Sequence, residues 1–178
     1  MRLVRLGLPG AFLVELEPLA DERGFFARSF CAREFAAAGL EPRLVQTSLS
    51  WNPRRGTLRG LHWQVAPHAE AKLVRCVRGR IYDVIVDVRP GSHTFRQHLA
   101  IELDADRRDA VYVPPGVAHG FLSLADGCEV HYQMSEFHAA EAGRGARFDD
   151  PAFGIVWPEP VAVVSARDRA WPDFLPAP

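Results

Sequence analysis

A chain of 178 residues, 48% hydrophobic, with 21 basic and 22 acidic side chains and a formal net charge of −1 suits one soluble domain (1–178) with a single sizeable core. That balance of charge gives no reason to expect a nucleic-acid or membrane partner. The apolar N-terminal tract MRLVRLGLPGAFLVELEPL is broken by Pro9, Glu15 and Glu17 and lacks a small-residue cleavage site, so it does not read as a signal peptide. No run approaches membrane-spanning length. Cys31, Cys76 and Cys128 are odd in number and lack metal or redox spacing, which predicts buried thiols in a cytoplasmic protein.

In chain order, the first clear element is a helix over 31–39 (CAREFAAAG), stopped by Gly39. The stretch TLRGLHWQ at 57–64 is read as a strand in which strict alternation sets Arg59 and His62 on opposite faces. Gly60, between them, is a candidate bulge that would bring both to one cavity, although Arg59 could equally reach around an edge. Strands are predicted at 72–78, 80–88, 98–103, 110–113, 119–124 and 129–134, all short and rich in Val, Ile, Tyr and Leu. RGR at 78–80 marks a hairpin, RPGS at 89–92 a turn and VPPG at 113–116 a rigid corner. The Pro-rich C-terminal part is expected to wrap the surface rather than extend a sheet. Many short strands with regular turns predict a mainly β fold, a jelly roll with a few short helices.

Lys72 is the only lysine; every other cationic side chain of this type is Arg. Lysine is a compact point donor that fits a narrow pocket, whereas Arg presents a planar fork. His62-x-Gln64, Lys72, Gly79 and Pro114-x-Gly116-x-x-His119 resemble the two signature segments of the cupin jelly-roll superfamily. In metal-binding cupins those segments supply His, His, Glu and a final His. Here Gln64 replaces the second His and Lys72 the Glu. An ammonium in place of an anionic ligand repels a divalent cation, so no metal and no cofactor is expected, and the pocket reads as one converted to hold an anion.

The blocks DERGFFARSF (21–30), TLRGLHWQ (57–64), KLVRCVRGRIYDVIVDVRPGSHTF (72–95), VPPGVAHGFLSL (113–124), HYQMSEF (131–137) and DDPAFGIVWP (149–158) closely resemble, in collinear order, the dTDP-4-dehydrorhamnose 3,5-epimerase family. The resemblance implies a cupin-type double-stranded β-helix and inversion at carbons beside the C4 ketone of a nucleotide-linked 6-deoxysugar. Such a reaction needs a base on one face, an acid on the other and a stabiliser for the enolate oxygen. By resemblance His62 is the base, Asp168 its partner, Tyr132 the acid and Lys72 the enolate donor. Arg23 and Arg59 match the family's phosphate contacts, with Arg169 a third candidate. Phe25, Gln46, His119 and His138 fall at or near its substrate-contacting positions. Family members are generally homodimers that exchange N-terminal strands, which would let Arg23 serve the partner's site.

Taken singly, these residues have blander explanations. His62 would be a satisfied core histidine, Tyr132 a core aromatic, Asp168 a solvated charge, His119 a structural residue after the Pro–Gly corner, and Phe25 simple packing. The chain also departs from the family pattern, with Ser48 for Asn, Arg28 for Glu, Phe137 or His138 for a stacking Tyr, and Phe148 for Trp. These positions surround substrate recognition more than proton transfer, so a single-site epimerase on a related nucleotide sugar is the alternative to the double epimerase. A non-catalytic sugar-nucleotide-binding cupin and a metal-dependent cupin enzyme are further alternatives. The first leaves the assembled base, partner, donor and acid unexplained; Gln64 and Lys72 argue against the second.

Overall fold

The computed structural model describes residues 1–174. In chain order its strands are β1 (Arg2–Arg5), β2 (Phe12–Glu15), β3 (Leu19–Asp21), β4 (Gly24–Phe26), β5 (Gln46–Asn52), β6 (Thr57–Gln64), β7 (Lys72–Arg78), β8 (Arg80–Asp87), β9 (His98–Asp104), β10 (Ala110–Val113), β11 (Val117–Ser123), β12 (Cys128–Met134), β13 (Gly143–Gly145) and β14 (Val163–Val164). Two short helices, α1 (Ala32–Ala37) and α2 (Ala166–Arg169), and a 3₁₀ turn at Ala140–Ala142 complete it.

Ten of these strands and the short β13 and β14 form two facing sheets, one ordered β1-β2-β10-β7-β12-β5 and the other β13-β6-β11-β8-β9 with β14 beside β6; β3 and β4 make a separate hairpin. Alternation along each strand sends Val74, Cys76, Val111 and Val130 from the first sheet against Ile81, Ile85, Val117 and Phe121 from the second. The result is the jelly-roll sandwich that the strand pattern predicts. A second cluster covers the outer face of the first sheet, where Phe35 of α1 and Leu40 pack on Phe12, Val14, Leu73 and Tyr112. A third lies outside the other sheet, where Phe153 packs on Leu61, Val84 and Val86.

The six predicted strands from 72 to 134 are present, two with the predicted ends and the others with ends moved by one or two residues. Helix α1 ends as its glycine dictates. Gly39 has φ +74°, its N–H donates to the Ala36 carbonyl, and the Leu40 N–H reaches back to Phe35. The N-terminal tract, rejected as a leader, is β1 and β2 at the sheet edge. The C-terminal expectation needs correction: Val163–Val164 pairs in parallel with Thr57–Leu58 and extends the second sheet. The Gly56 carbonyl accepts from both Ala162 and Val163, which draws that two-residue strand onto the edge. Cys76 and Cys128 are buried thiols, as expected, but Cys31 is only partly covered. Burial pushes the Cys76 thiol up to about 12, so it is inert packing. Among the described residues no helix is long and apolar enough to cross a membrane.

The RPGS turn is held from beneath by Asp87. Its fully buried carboxylate accepts from the Arg89 backbone and guanidinium and from the Ser92 and Thr94 hydroxyls, at 2.6–3.0 Å. Burial alone would raise this carboxyl, but those bonds overcome it and hold it well below the ordinary range. Asp87→Ala is expected to cost about 3 kcal/mol, the low end for a broken buried pair because Arg89 keeps some water. Since the folded value is depressed, this stabilisation is full above the unfolded carboxylate's value of about 3.9 and is lost progressively below it. Urea midpoints of the two proteins should therefore differ most at neutral pH and converge on acidification.

Candidate functional site

The second sheet supplies one wall of a cavity between the sheets. Opposite β11, β6 takes three steps from Arg59 to His62 while β11 takes two from Phe121 to His119, so β6 carries an extra residue at Gly60–Leu61. This bulge undoes the strict alternation, and both Arg59 and His62 line the cavity. Gly60 has φ +116°, and a Cβ there would lie 2.5 Å from the Gly120 Cα and 2.8 Å from the His119 carbonyl. Only glycine lets the two strands approach so closely at this crossing.

His62 Nε2 is 2.7 Å from Asp168 Oδ1. A carboxylate accepts only, so Nε2 carries a proton toward it, and in the neutral imidazole the lone pair is then on Nδ1. Asp168 is buried at the end of α2, whose N-cap Ser165 accepts from the Asp168 N–H. Burial pushes the Asp168 carboxyl up, but bonds from His62, the Gly60 N–H and Ser165 outweigh it and hold the carboxyl below its usual value. A second pair stands beside the first. His119, the cross-strand neighbour of His62, lies 2.7 Å through Nε2 from Asp83 Oδ2, both nearly fully buried.

The first sheet supplies the opposite wall. Tyr132 on β12 lies opposite Ser48 on β5, and Lys72 on β7 lies opposite Met134, so these side chains share the inward face. The Tyr132 ring meets His119 edge-on at 6.0 Å between centroids. Burial raises the Tyr132 phenol well above its ordinary value, against the smaller opposing effect of the Ser50 hydroxyl, and so keeps it protonated. Lys72 Nζ donates to the His62 carbonyl at 3.2 Å and pairs with Glu70 at 3.0 Å.

The cavity has two adjoining lobes of about 300 and 540 Å³, both lined by His62, Lys72, Tyr132 and Arg167. That volume accepts a small organic ligand. An imidazole on one wall, a neutral phenol on the other and an ammonium between them can take a proton from one face of a ligand and return one to the other. Gln64 is buried, its amide nitrogen donating to the His68 and Phe137 carbonyls and to Glu70 and its amide oxygen accepting from the Ala139 N–H. Among the described residues no three His, Cys, Asp or Glu side chains gather as metal ligands.

Of the predicted residues, His62, Lys72, Tyr132, Asp168, Arg59, His119, Gln46 and His138 line this cavity. Arg59 stands at the mouth, its Nε donating to Asn52 at 2.7 Å. Three others do not join them. Arg169 is exposed and does not line the cavity; Arg167, two residues earlier and on the opposite side of α2, does so instead, braced over the Trp171 ring at 5.5 Å. Arg23 and Phe25 sit on the exposed β3–β4 hairpin, where Arg23 pairs with Asp21 and Phe25 meets Arg108. Reasoning from sequence missed Asp83, Glu70 and Ser50 as well as Arg167. Glu70, two residues before the lone lysine, was the one with a visible signal.

With the geometry in hand, the chain matches the family model described as dTDP-4-dehydrorhamnose 3,5-epimerase over residues 5–175. It is 40% identical over 173 residues, 96% of this chain and 92% of the other, to dTDP-4-dehydrorhamnose 3,5-epimerase of Methanothermobacter thermautotrophicus. A crystal structure of the enzyme of that name from Bacillus anthracis, with TDP and PPi bound, superposes with a TM-score of 0.93 at 35% identity, covering 97% of this chain and 99% of that one. A dTDP-4-dehydrorhamnose 3-epimerase of Streptomyces niveus is 38% identical over 170 residues, 95% of this chain and 82% of its own.

Gly60→Ala is expected to destabilise the protein by at least about 1–3 kcal/mol through backbone strain alone, before the contact with Gly120 is counted. Urea denaturation measures it. A variant as stable as the parent would mean that β6 and β11 can part at this crossing without cost.

Proposed function

The chain belongs to the dTDP-4-dehydrorhamnose 3,5-epimerase family, and from that membership we propose that it epimerises dTDP-4-dehydro-6-deoxy-D-glucose at C3 and C5 to dTDP-4-dehydro-L-rhamnose. The observation that carries this reading is the placement of the His62–Asp168 pair and Tyr132 on opposite sheets across one cavity that also holds Lys72. His62 Nδ1 removes the proton beside the ketone, and the C–H electron pair moves onto the C4 oxygen as an enolate. The Lys72 ammonium stabilises that negative charge, and Asp168 supports the imidazolium. Tyr132 then protonates carbon from the opposite face as the electrons return from oxygen. The resulting phenolate recovers a proton and His62 gives one up, through solvent. Neither step consumes a cofactor, and a metal has no part in it.

The diphosphate falls to Arg59 and Arg167 at the cavity rim, where guanidinium forks suit phosphate oxygens. We also propose a homodimer in which the β3–β4 hairpin carries Arg23 and Phe25 to the partner's cavity. Two features support it. The hairpin lies outside both sheets of its own chain, and Leu19, Phe26, Leu49 and Trp51 leave large apolar side chains exposed.

The single-site alternative stays in view because the cavity wall carries Ser48 and His138, and because the Streptomyces niveus relative is named as a 3-epimerase. Incubation with dTDP-4-keto-6-deoxyglucose in deuterated water decides between them. Label at C3 and C5 is expected; label at one carbon would make the protein a single-site enzyme. His62→Ala should abolish exchange at every position. Tyr132→Phe should permit exchange, because His62 can return a proton to the face it came from, but lose inversion. Full-rate exchange in His62→Ala would remove the base from this histidine.

Lys72→Met should lower turnover about 10²–10³-fold, as expected for loss of an oxyanion donor. Lys72→Arg should fail too, since a guanidinium would be drawn into a bidentate pair with Glu70 and away from the substrate. Near-normal turnover in Lys72→Arg would show that charge alone suffices there.

A further inference from the structure

Lys72 does not stand alone on the cavity wall. Its ammonium lies 3.0 Å from the Glu70 carboxylate, and the two side chains are only 12% and 10% exposed. Glu70 is itself held from behind. The Gln64 amide, buried at the end of β6, donates to Glu70 Oε2 at 3.2 Å while the same nitrogen bonds the His68 and Phe137 carbonyls. The next residue is pinned as well, because the Ala71 N–H donates to the Ser135 hydroxyl at 2.8 Å and the Ser135 N–H returns a bond to the Ala71 carbonyl. One carboxylate oxygen is thus tied to rigid framework and the other faces the ammonium. Glu70 also lines the cavity in its own right.

We propose that Glu70 is a positioning residue: anchored by Gln64, it holds Lys72 Nζ against the cavity wall and aims it at the substrate's C4 oxygen. This rests on the reading of Lys72 as the donor to that oxygen. A lysine stem has four rotatable bonds and an isotropic head, so it has many ways to miss its target. Oxyanion donors act through being fixed before charge develops. The His62 carbonyl supplies one fixed contact and Glu70 the other, so the ammonium is held between base and framework before any ligand arrives. The carboxylate's charge also offsets part of the ammonium's field. An uncharged amide at position 70 would keep an acceptor for Lys72 and lift that offset.

The test is deuterium incorporation into dTDP-4-keto-6-deoxyglucose by the full-length protein and four variants. Glu70→Ala is expected to lower kcat about tenfold or more with KM changed less than about threefold, a loss confined to the reacting state. Glu70→Gln should restore most of that loss. In a Lys72→Met background, adding Glu70→Ala should cost nothing further, because the residue it positions is gone. A folded Glu70→Ala protein with parental turnover overturns the proposal. So does a loss of the same factor in both backgrounds, which would make Glu70 a loop fastener only. If Glu70→Ala does not fold, Glu70→Asp, which withdraws the charge by one methylene, carries the same cycle. Undiminished turnover in Lys72→Met would overturn the underlying reading of that lysine as well, whereas the first two outcomes strike Glu70 alone.

Discussion

Everything at this site depends on how closely β6 and β11 cross at Gly60 and Gly120. Two backbones in contact, with no room for a methyl group on either, force the extra residue of β6 out of register. Without that residue Arg59 and His62 would point to opposite faces of the sheet. With it, a cation at the mouth and an imidazole within share one cavity, and the imidazole falls beside His119. The same bulge aims the Gly60 N–H at Asp168, so the strand that displays His62 also helps to hold the carboxylate paired with it.

A common electrostatic arrangement recurs at three points around the cavity. Asp168 stands behind His62, Asp83 behind His119 and Glu70 behind Lys72. In each case the carboxylate is buried or nearly so and the group it backs lines the cavity. Burial of an unpaired carboxylate is costly, so each acid needs its partner as much as it orients it. For Asp168 the outcome is visible in a carboxyl held below its ordinary value despite desolvation. Tyr132 is the contrast: desolvation, with a smaller contribution from the Asp83 carboxylate, keeps its proton in place.

Much of this was legible in sequence because local chemistry dictated it. Gly39, Gly79 and Gly116 each take positive φ where a turn was expected, and the Val-rich runs alternate into the core. The strand β5 was not legible, since its pattern runs against the usual one. Gln46, Ser48 and Ser50 line the cavity while Leu49 and Trp51 are exposed. A wet interior and an uncovered apolar exterior invert the alternation from which strands are normally read. Arg167 was missed for a different reason. Helix α2 has four residues, too few for any period to say which arginine faces inward, and only its packing beside β6 decides.

The departures from the family pattern divide by location. Ser48 and His138 line the cavity, whereas Arg28 is an exposed partner of Glu34 and Phe148 offers its carbonyl to Trp157. The two that reach the cavity come from β5 and the segment after β12, and they are linked, since Gln46 of β5 accepts from the His138 N–H. The groups that can move protons come instead from β6, β12 and α2. The two groups thus rest mostly on different elements and meet where Ser48 lies opposite Tyr132. A change at Ser48 or His138 can reshape that rim while the His62–Asp168 bond, set by the bulge and by α2, stays as it is.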